Sequence, residues 1–224
     1  ITTVTIDVPS GRVQAEVRKE RDVITGITFR NVRSHVVATD LSVQLNDGRT
    51  LALDISYGGA NYAILEASQL GLKVIPDHLD QLVRFGREIK WKLNNSPESQ
   101  SQNDARLNGI YGTIFYERLG ATSEQLHQRN VTIYADGRVD RSPCGSGTAA
   151  RIAQLSASNE LHEGITLLHE SIIGTQFEGR IAERYREKAV VGVIPEITGN
   201  AWLMAESNFV LAPTDPLEAG FSLR

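Results

Sequence analysis

One stretch limits the fold of this chain more than any other. Cys144-Gly145-Ser146-Gly147-Thr148 opens a run in which Ala149, Ala150, Ile152, Ala153 and Leu155 recur. At helical period these small and apolar residues leave too little polar surface for a solvent-facing helix, so the helix is expected to be buried and central. Most of what surrounds it in sequence is strand-like. Val4-Thr5-Ile6-Asp7-Val8 leads into the turn Pro9-Ser10-Gly11, and Val13 to Val17 alternates behind it. Val23 to Phe29 and Val36 to Ala38 read as further strands, and Asn46-Asp47-Gly48 marks a hairpin between Leu41–Leu45 and Leu51–Ile55.

Tyr57-Gly58-Gly59 interrupts this meander, and paired glycines in a strand pattern signal a bulge or a close backbone approach. Leu79, Leu82, Val83, Phe85 and Ile89 form one stripe, predicting a helix over 76–93 with Pro76 in its first turn. Residues 94–105 are polar and read as a flexible loop. Strands resume at Tyr111 to Tyr116 and Val131 to Tyr134, with a tight turn at Asp136-Gly137. Three more strand-like runs, Ala189 to Ile194, Ala201 to Ala205 and Phe209 to Ala212, complete a chain of many short strands and two helices.

Composition excludes several classes. At 41% hydrophobic and 22% charged residues over 224 positions, the chain is neither disordered, collagenous nor a coiled coil. Its 23 basic and 27 acidic residues give a net charge of −4, a poor match to nucleic acid. No apolar run approaches the roughly 20 residues of a membrane helix, and no membrane role is expected. The opening ITTVTIDVPSG lacks a basic-then-apolar leader, and one Cys excludes an internal disulfide framework; a cytoplasmic, reducing setting is expected. The sequons at Asn94 and Asn130 read as chance. Five scattered His show no metal-ligand spacing with Cys144, so neither metal nor cofactor is expected. Trp91 and Trp202 read as core or interface.

Asp140-Arg141-Ser142-Pro143-Cys144-Gly145-Ser146-Gly147-Thr148 carries the chemistry. Cys144 sits where a turn becomes a helix, so free N–H groups and the helix dipole are expected to favour its thiolate. The N–H groups of Gly145 and Ser146 make an anion site suited to a carboxylate. Asp140 is placed to accept from an ammonium. Thiol, carboxylate cradle and ammonium acceptor together describe an α-amino acid held with its Cα near sulfur. The plainer alternative is a Cys buried as a small hydrophobe beside a structural glycine turn. A thiol hydrolase is a further alternative and requires a His close to the sulfur.

The 140–148 segment resembles the second catalytic motif of the proline racemase family. Tyr57-Gly58-Gly59, Gly174 to Arg180, Glu196-Ile197-Thr198-Gly199, Asp215-Pro216-Leu217 with Gly220-Phe221, and Pro9-Ser10-Gly11 resemble further family blocks in order. The resemblance implies an α+β, diaminopimelate epimerase-like fold, in which mostly antiparallel strands wrap around a central helix in each of two pseudo-symmetric halves. The first half is then incomplete here: residues 1–30 help to complete it, 31–198 form the second half with the Cys144 motif, and 199–224 return as strands to the first. It also implies two-base chemistry at Cα, with Cys144 as one base and the other, in an M-C-G-H-G-like motif, absent from these residues. Gly145 and Ser146 would bind the substrate carboxylate, Asp140 the ring nitrogen, and Tyr134 would pack near the substrate ring. The implied reaction is racemisation or epimerisation of proline or a hydroxyproline by a homodimer without cofactor. The alternatives are trans-3-hydroxy-L-proline dehydration and a non-catalytic amino-acid-binding relative. Dehydratases of the family usually carry Thr where this chain has Cys144. Against that, Asn108 to Ile114 resembles the dehydratases, and the epimerases tend to carry His near the place of Gly112.

Overall fold

A computed structural model describes residues 1–21, 23–100, 104–217 and 220. Among these described residues, twelve strands run in chain order: β1 (Thr2–Val8), β2 (Gly11–Glu20), β3 (Val23–Arg30), β4 (Ser34–Gln44), β5 (Thr50–Tyr57), β6 (Asn61–Glu66), β7 (Gly112–Ala121), β8 (Gln125–Tyr134), β9 (Arg138–Val139), β10 (Thr166–Ser171), β11 (Gln176–Glu187) and β12 (Val190–Gly199). Among the described residues two α-helices join them, α1 (Leu79–Leu93) and α2 (Gly145–Ala157).

The strand order is β1-β2-β3-β12-β11-β10-β8-β7-β6-β5-β4, and β4 also pairs with β12. That second pairing closes the strands from β4 to β12 into a barrel, and closure removes the exposed edges that an open sheet would leave. Most pairings are antiparallel; β6–β7 and β8–β10 are parallel. Helix α2 runs against β12, β4, β5, β11 and β6, inside the barrel, and α1 lies across β7 and β8 on its outside.

This placement accounts for the apolar run at Ala63-Ile64-Leu65. Side chains alternate across a strand. Tyr62 and Ile64 join the interior cluster with Ile114, Tyr116, Cys144 and Ala150, whereas Ala63 and Leu65 join the outer core with Leu82, Phe85 and Ile89 of α1. Covered on both faces, β6 has no need of a polar face. A Cβ at Gly86 would lie 2.7 Å from the Ile133 side chain, and the Thr113 hydroxyl donates to Gly86 O at 2.9 Å, so α1 packs directly on the sheet.

The buried helix is confirmed with one addition. Arg151 of α2 is only 2% exposed. Its Nε donates to Gln128 at 2.9 Å, its Nη1 to Gln154 at 2.5 Å, and its guanidinium carbon sits 3.6 Å from the centre of the Tyr116 ring. Hydrogen bonds and an aromatic face stand in for water around this charge.

Two expectations change. Among the described residues, Ala201 to Ala205 and Phe209 to Ala212 form no strand and pair with none; Trp202, Leu203 and Phe209 are 76%, 83% and 91% exposed. The segment 94–105 is more ordered than its composition suggests: Pro97–Ser99 and Ala105–Leu107 form 3₁₀ turns, and Ser99 donates to Asn94 O and Ser96 O. Residues 101–103 of that segment, and Phe221 of the last block, lie outside the described residues.

Candidate active site

Cys144 caps the N-terminus of α2 with φ 66° and ψ 112°, a backbone conformation that costs a residue with a Cβ about 1–3 kcal/mol. The surroundings hold it there. Asp140 Oδ1 accepts from the Ser142 N–H and hydroxyl, both at 2.9 Å, and Ser142 Oγ in turn accepts from the Cys144 N–H at 3.0 Å. On the other side of the same peptide, Pro143 O accepts from Asn130 Nδ2 at 2.9 Å and from the Thr148 hydroxyl at 3.2 Å. His169, fully buried, lies behind both groups, with Nδ1 2.8 Å from Thr148 Oγ1.

Sequence blocks far apart in the chain converge on this loop. A Cβ at Gly58 would lie 2.2 Å from Ser146 O and 2.5 Å from Ala150 N, so the Tyr57-Gly58-Gly59 turn lies directly against the first turns of α2. Close backbone approach is therefore the role of Gly58. Thr175 Oγ1 donates to Arg141 O at 3.0 Å, tying the 174–180 block to the loop. Ser10 of the Pro9-Ser10-Gly11 turn lies beside Gly59.

A cavity of about 790 Å³ opens beside the N-terminus of α2, lined among others by Phe29, Gly58, Tyr62, Tyr111, Tyr134 and Ser146. Two of the five expected site residues, Ser146 and Tyr134, form its wall. The Tyr134 ring stacks on Tyr111 at 5.9 Å between centres and 3° between planes. Cys144 is one layer behind, 6% exposed. Gly145 is in the first turn of α2, where a Cβ would lie 3.0 Å from the Phe29 ring, and Asp140 is committed through one oxygen to the Ser142 turn. The N–H groups of Gly145 and Ser146 begin the helix with no acceptor inside it.

Tyr62 links the cavity to the thiol. Its hydroxyl is 2.6 Å from Ser146 Oγ and 3.6 Å from Cys144 Sγ. Sequence reading missed it, since a Tyr in a strand run looks like every other strand Tyr. Asn130 and His169 were missed for the same reason: their partners are distant in sequence.

The expected lowering of the thiol pKa is reversed. Burial raises it, the Asp140 charge raises it further, and hydrogen bonds from Tyr62, the Gly147 N–H and Thr132 only partly oppose them. The helix terminus favours the thiolate as anticipated, but desolvation acts on the same atom and is the larger effect. The His169 ring is held neutral, its pKa lowered to about 3 by burial and by the Arg151 charge. It bonds Thr148 and Asn130; among the described residues no His bonds the sulfur, which removes the Cys–His pair that a thiol hydrolase needs. Among the described residues no three His, Cys, Asp or Glu side chains converge as metal ligands, and no helix is long and apolar enough to cross a membrane.

The family model for proline racemase matches residues 1–222. The chain is 37% identical over 224 residues to a trans-3-hydroxy-L-proline dehydratase of Colwellia psychrerythraea, covering all of this chain and 62% of that protein. It is 34% identical over 224 residues to a proline racemase of Clostridioides difficile, and 36% identical over 223 to a 4-hydroxyproline 2-epimerase of Streptosporangium roseum; each match covers the whole of this chain and 66% of the relative. Among solved structures it superposes on a hydroxyproline epimerase of Agrobacterium vitis with bound trans-4-hydroxy-L-proline, with a TM-score of 0.89 at 29% identity, over 99% of this chain and 63% of that one. The chain thus spans about two thirds of the length of these relatives.

Proposed function

The chain belongs to the proline racemase family, and on that premise we propose that it supplies one half of a cofactor-independent site that inverts Cα of proline or a hydroxyproline. The observation that carries this reading is a thiol held at a helix N-terminus behind a cavity wall that also presents the start of that helix. A substrate carboxylate against the Gly145 and Ser146 N–H groups is stabilised by the helix dipole, and more strongly as negative charge spreads from Cα into it. The Cys144 thiol then delivers a proton to one face of the planar carbon, and its thiolate removes a proton in the reverse direction. A thiol kept protonated by burial suits the delivering role. Cys144 would be the second base, and the first would come from outside these residues. Asp140 would receive the ring nitrogen, and Tyr134 with Tyr111 would flank the ring. We place the protein in the cytoplasm, as a homodimer.

A dehydratase is the second reading, the Colwellia dehydratase and the Streptosporangium epimerase being almost equally similar at 37% and 36% identity. Gly112 bears on it as well: a Cβ there would lie 2.9 Å from Ile133 O and 3.3 Å from Tyr134 Cβ, so the bulk of a His is not accommodated beside Tyr134. Cys144 weighs the other way. Incubation of the native protein in heavy water with proline, 4-hydroxyproline and trans-3-hydroxyproline separates the readings. Deuterium at Cα with inversion is expected for one of the first two. Loss of water from trans-3-hydroxyproline without inversion of any substrate would establish the second reading, and no exchange with any of them would defeat both. Pyrrole-2-carboxylate, flat at the equivalent of Cα, is expected to slow Cys144 alkylation.

A further inference from the structure

We infer that Tyr62 is a positioning residue for Cys144: its phenol shares a single proton between Ser146 Oγ and Cys144 Sγ, and thereby ties the start of α2 to the charge state of the sulfur. The inference rests on the reading of Cys144 as the acid–base group and extends it to a side chain that the reaction itself does not require.

The geometry is specific. Tyr62 comes from β6, 82 residues before Cys144 and 84 before Ser146, yet its hydroxyl lies within bonding reach of both. The side chain is 0% exposed, so water does not compete for the hydroxyl. Its ring is fixed edge-on against Tyr111 at 5.6 Å and packs with Ile64, Ile114 and Ala150. The phenol has one proton to give: where Ser146 Oγ donates to it, that proton goes to sulfur, and where Ser146 Oγ accepts it, the sulfur goes without. A proton given to sulfur stabilises thiolate; a proton given to Ser146 withdraws that support.

Few other groups set the charge on this sulfur. The Asp140 carboxylate faces it from the preceding loop and opposes thiolate. The Tyr111 phenol interacts with it from the segment before β7. Thr132 of β8 and the Gly147 N–H are the remaining donors. Among the described residues no Lys, Arg or His bonds the sulfur, so the Tyr62 phenol takes the place that a cation usually fills beside a reactive thiol. Burial also holds the Tyr62 phenol itself well above its ordinary range, so it stays a donor throughout the neutral range.

The test needs no substrate. The pH dependence of Cys144 alkylation by iodoacetamide is followed in the native protein by mass spectrometry of the Cys144 peptide. Tyr62→Phe is expected to displace the profile to higher pH and to slow alkylation at neutral pH about tenfold, the size of a lost hydrogen bond to a charged group. Ser146→Ala leaves the phenol proton to sulfur alone and is expected to leave the profile in place or move it to lower pH. Fluorotyrosine at position 62 keeps the shape, strengthens the donor and is expected to move the profile to lower pH, which keeps the test intact if Tyr62→Phe does not fold. A profile unmoved by Tyr62→Phe or by fluorotyrosine, or one raised equally by Tyr62→Phe and Ser146→Ala, would overturn the inference. Cα exchange by the unaltered protein is read separately. Its absence defeats the proposed function and leaves the alkylation result standing, while exchange with unmoved profiles defeats the inference alone.

Discussion

Strands β1 and β6 are both short and rich in β-branched or aromatic residues, yet they end in opposite environments. Tyr62, Ala63, Ile64 and Leu65 of β6 are 0–2% exposed, whereas Val4 and Ile6 of β1 are 41% and 45% exposed. The difference is one of neighbours. β6 lies between α2 on one face and the α1 core on the other. β1 is the outermost strand of the β1–β2–β3 ribbon, and each partner strand covers only its backbone edge. The 201–212 segment goes further, with no strand pairing and Met204, Val210 and Leu211 71–82% exposed. Apolar alternation encodes the capacity to be covered; burial needs a covering element, and among the described residues the barrel supplies most of it. The site follows that division, since Cys144, Tyr62, Asn130 and His169 all belong to the barrel and its helix.

The largest expected effect tests whether chemistry is confined to the barrel. Cys144→Ser is expected to reduce Cα exchange by roughly 10²–10⁴-fold, because a serine hydroxyl is a far weaker acid than a thiol. Near-normal trans-3-hydroxyproline dehydration by that variant, measured beside a wild type without inversion, would move the assignment to the second reading.

Next comes a matched pair of glycines. Gly58→Ala drives a Cβ into the backbone of Ser146 and Ala150, which cannot swing aside as a side chain can. A loss of about 3 kcal/mol is expected in denaturant unfolding, at the upper end for overpacking. Gly26→Ala in the ribbon meets nothing within 4 Å and is expected to change stability by less than about 0.5 kcal/mol. Equal losses in the two variants would erase the distinction between barrel and ribbon.

A smaller effect appears in the pH dependence. The unfolded chain protonates His169 near its ordinary 6.5 and the native protein only near 3, so the unfolded state binds more protons between those values. Stability therefore rises with pH across that window and is lost as the pH falls through it, by about 2 kcal/mol between pH 6.5 and 5. His169→Gln is expected to flatten this dependence when unfolding midpoints are compared at the two pH values. An unchanged slope would show that other groups carry it.

The smallest effect is expected in the tail. Phe209 is 91% exposed, so Phe209→Ser is expected to leave the melting temperature of the 224-residue chain within the scatter of the measurement. A clear drop would mean that the segment packs onto the barrel in solution.

Much of the fold was legible from local pattern. The α1 stripe, the Asn46-Asp47-Gly48 and Asp136-Gly137 turns and the surrounded α2 each follow from short-range rules, because periodicity and turn chemistry act over a few residues. Cys144 and the helix start were legible for the same reason. What failed did so where a local signal met a distant neighbour. The 201–212 alternation pairs with no strand among the described residues. The helix start at Cys144 was outweighed by desolvation of the buried thiol and by the Asp140 charge of the preceding loop.

The sequence by itself therefore determined the type of most barrel elements, though not that of β9, β10 and β11, together with the place of the thiol at a helix start and, through its resemblance to a family, the α+β architecture. Only the tertiary structure decided that Tyr62 reaches Cys144 and Ser146, that Asn130 and Thr148 hold the Pro143 carbonyl, and that Gly58 lies against the first turns of α2. Their separations run from 5 to about 90 residues, and all but one exceed the span of a helical turn or a hairpin. Closing the strands from β4 to β12 around α2 brings them together, and the thiol's burial, and hence its charge, is set by that closure.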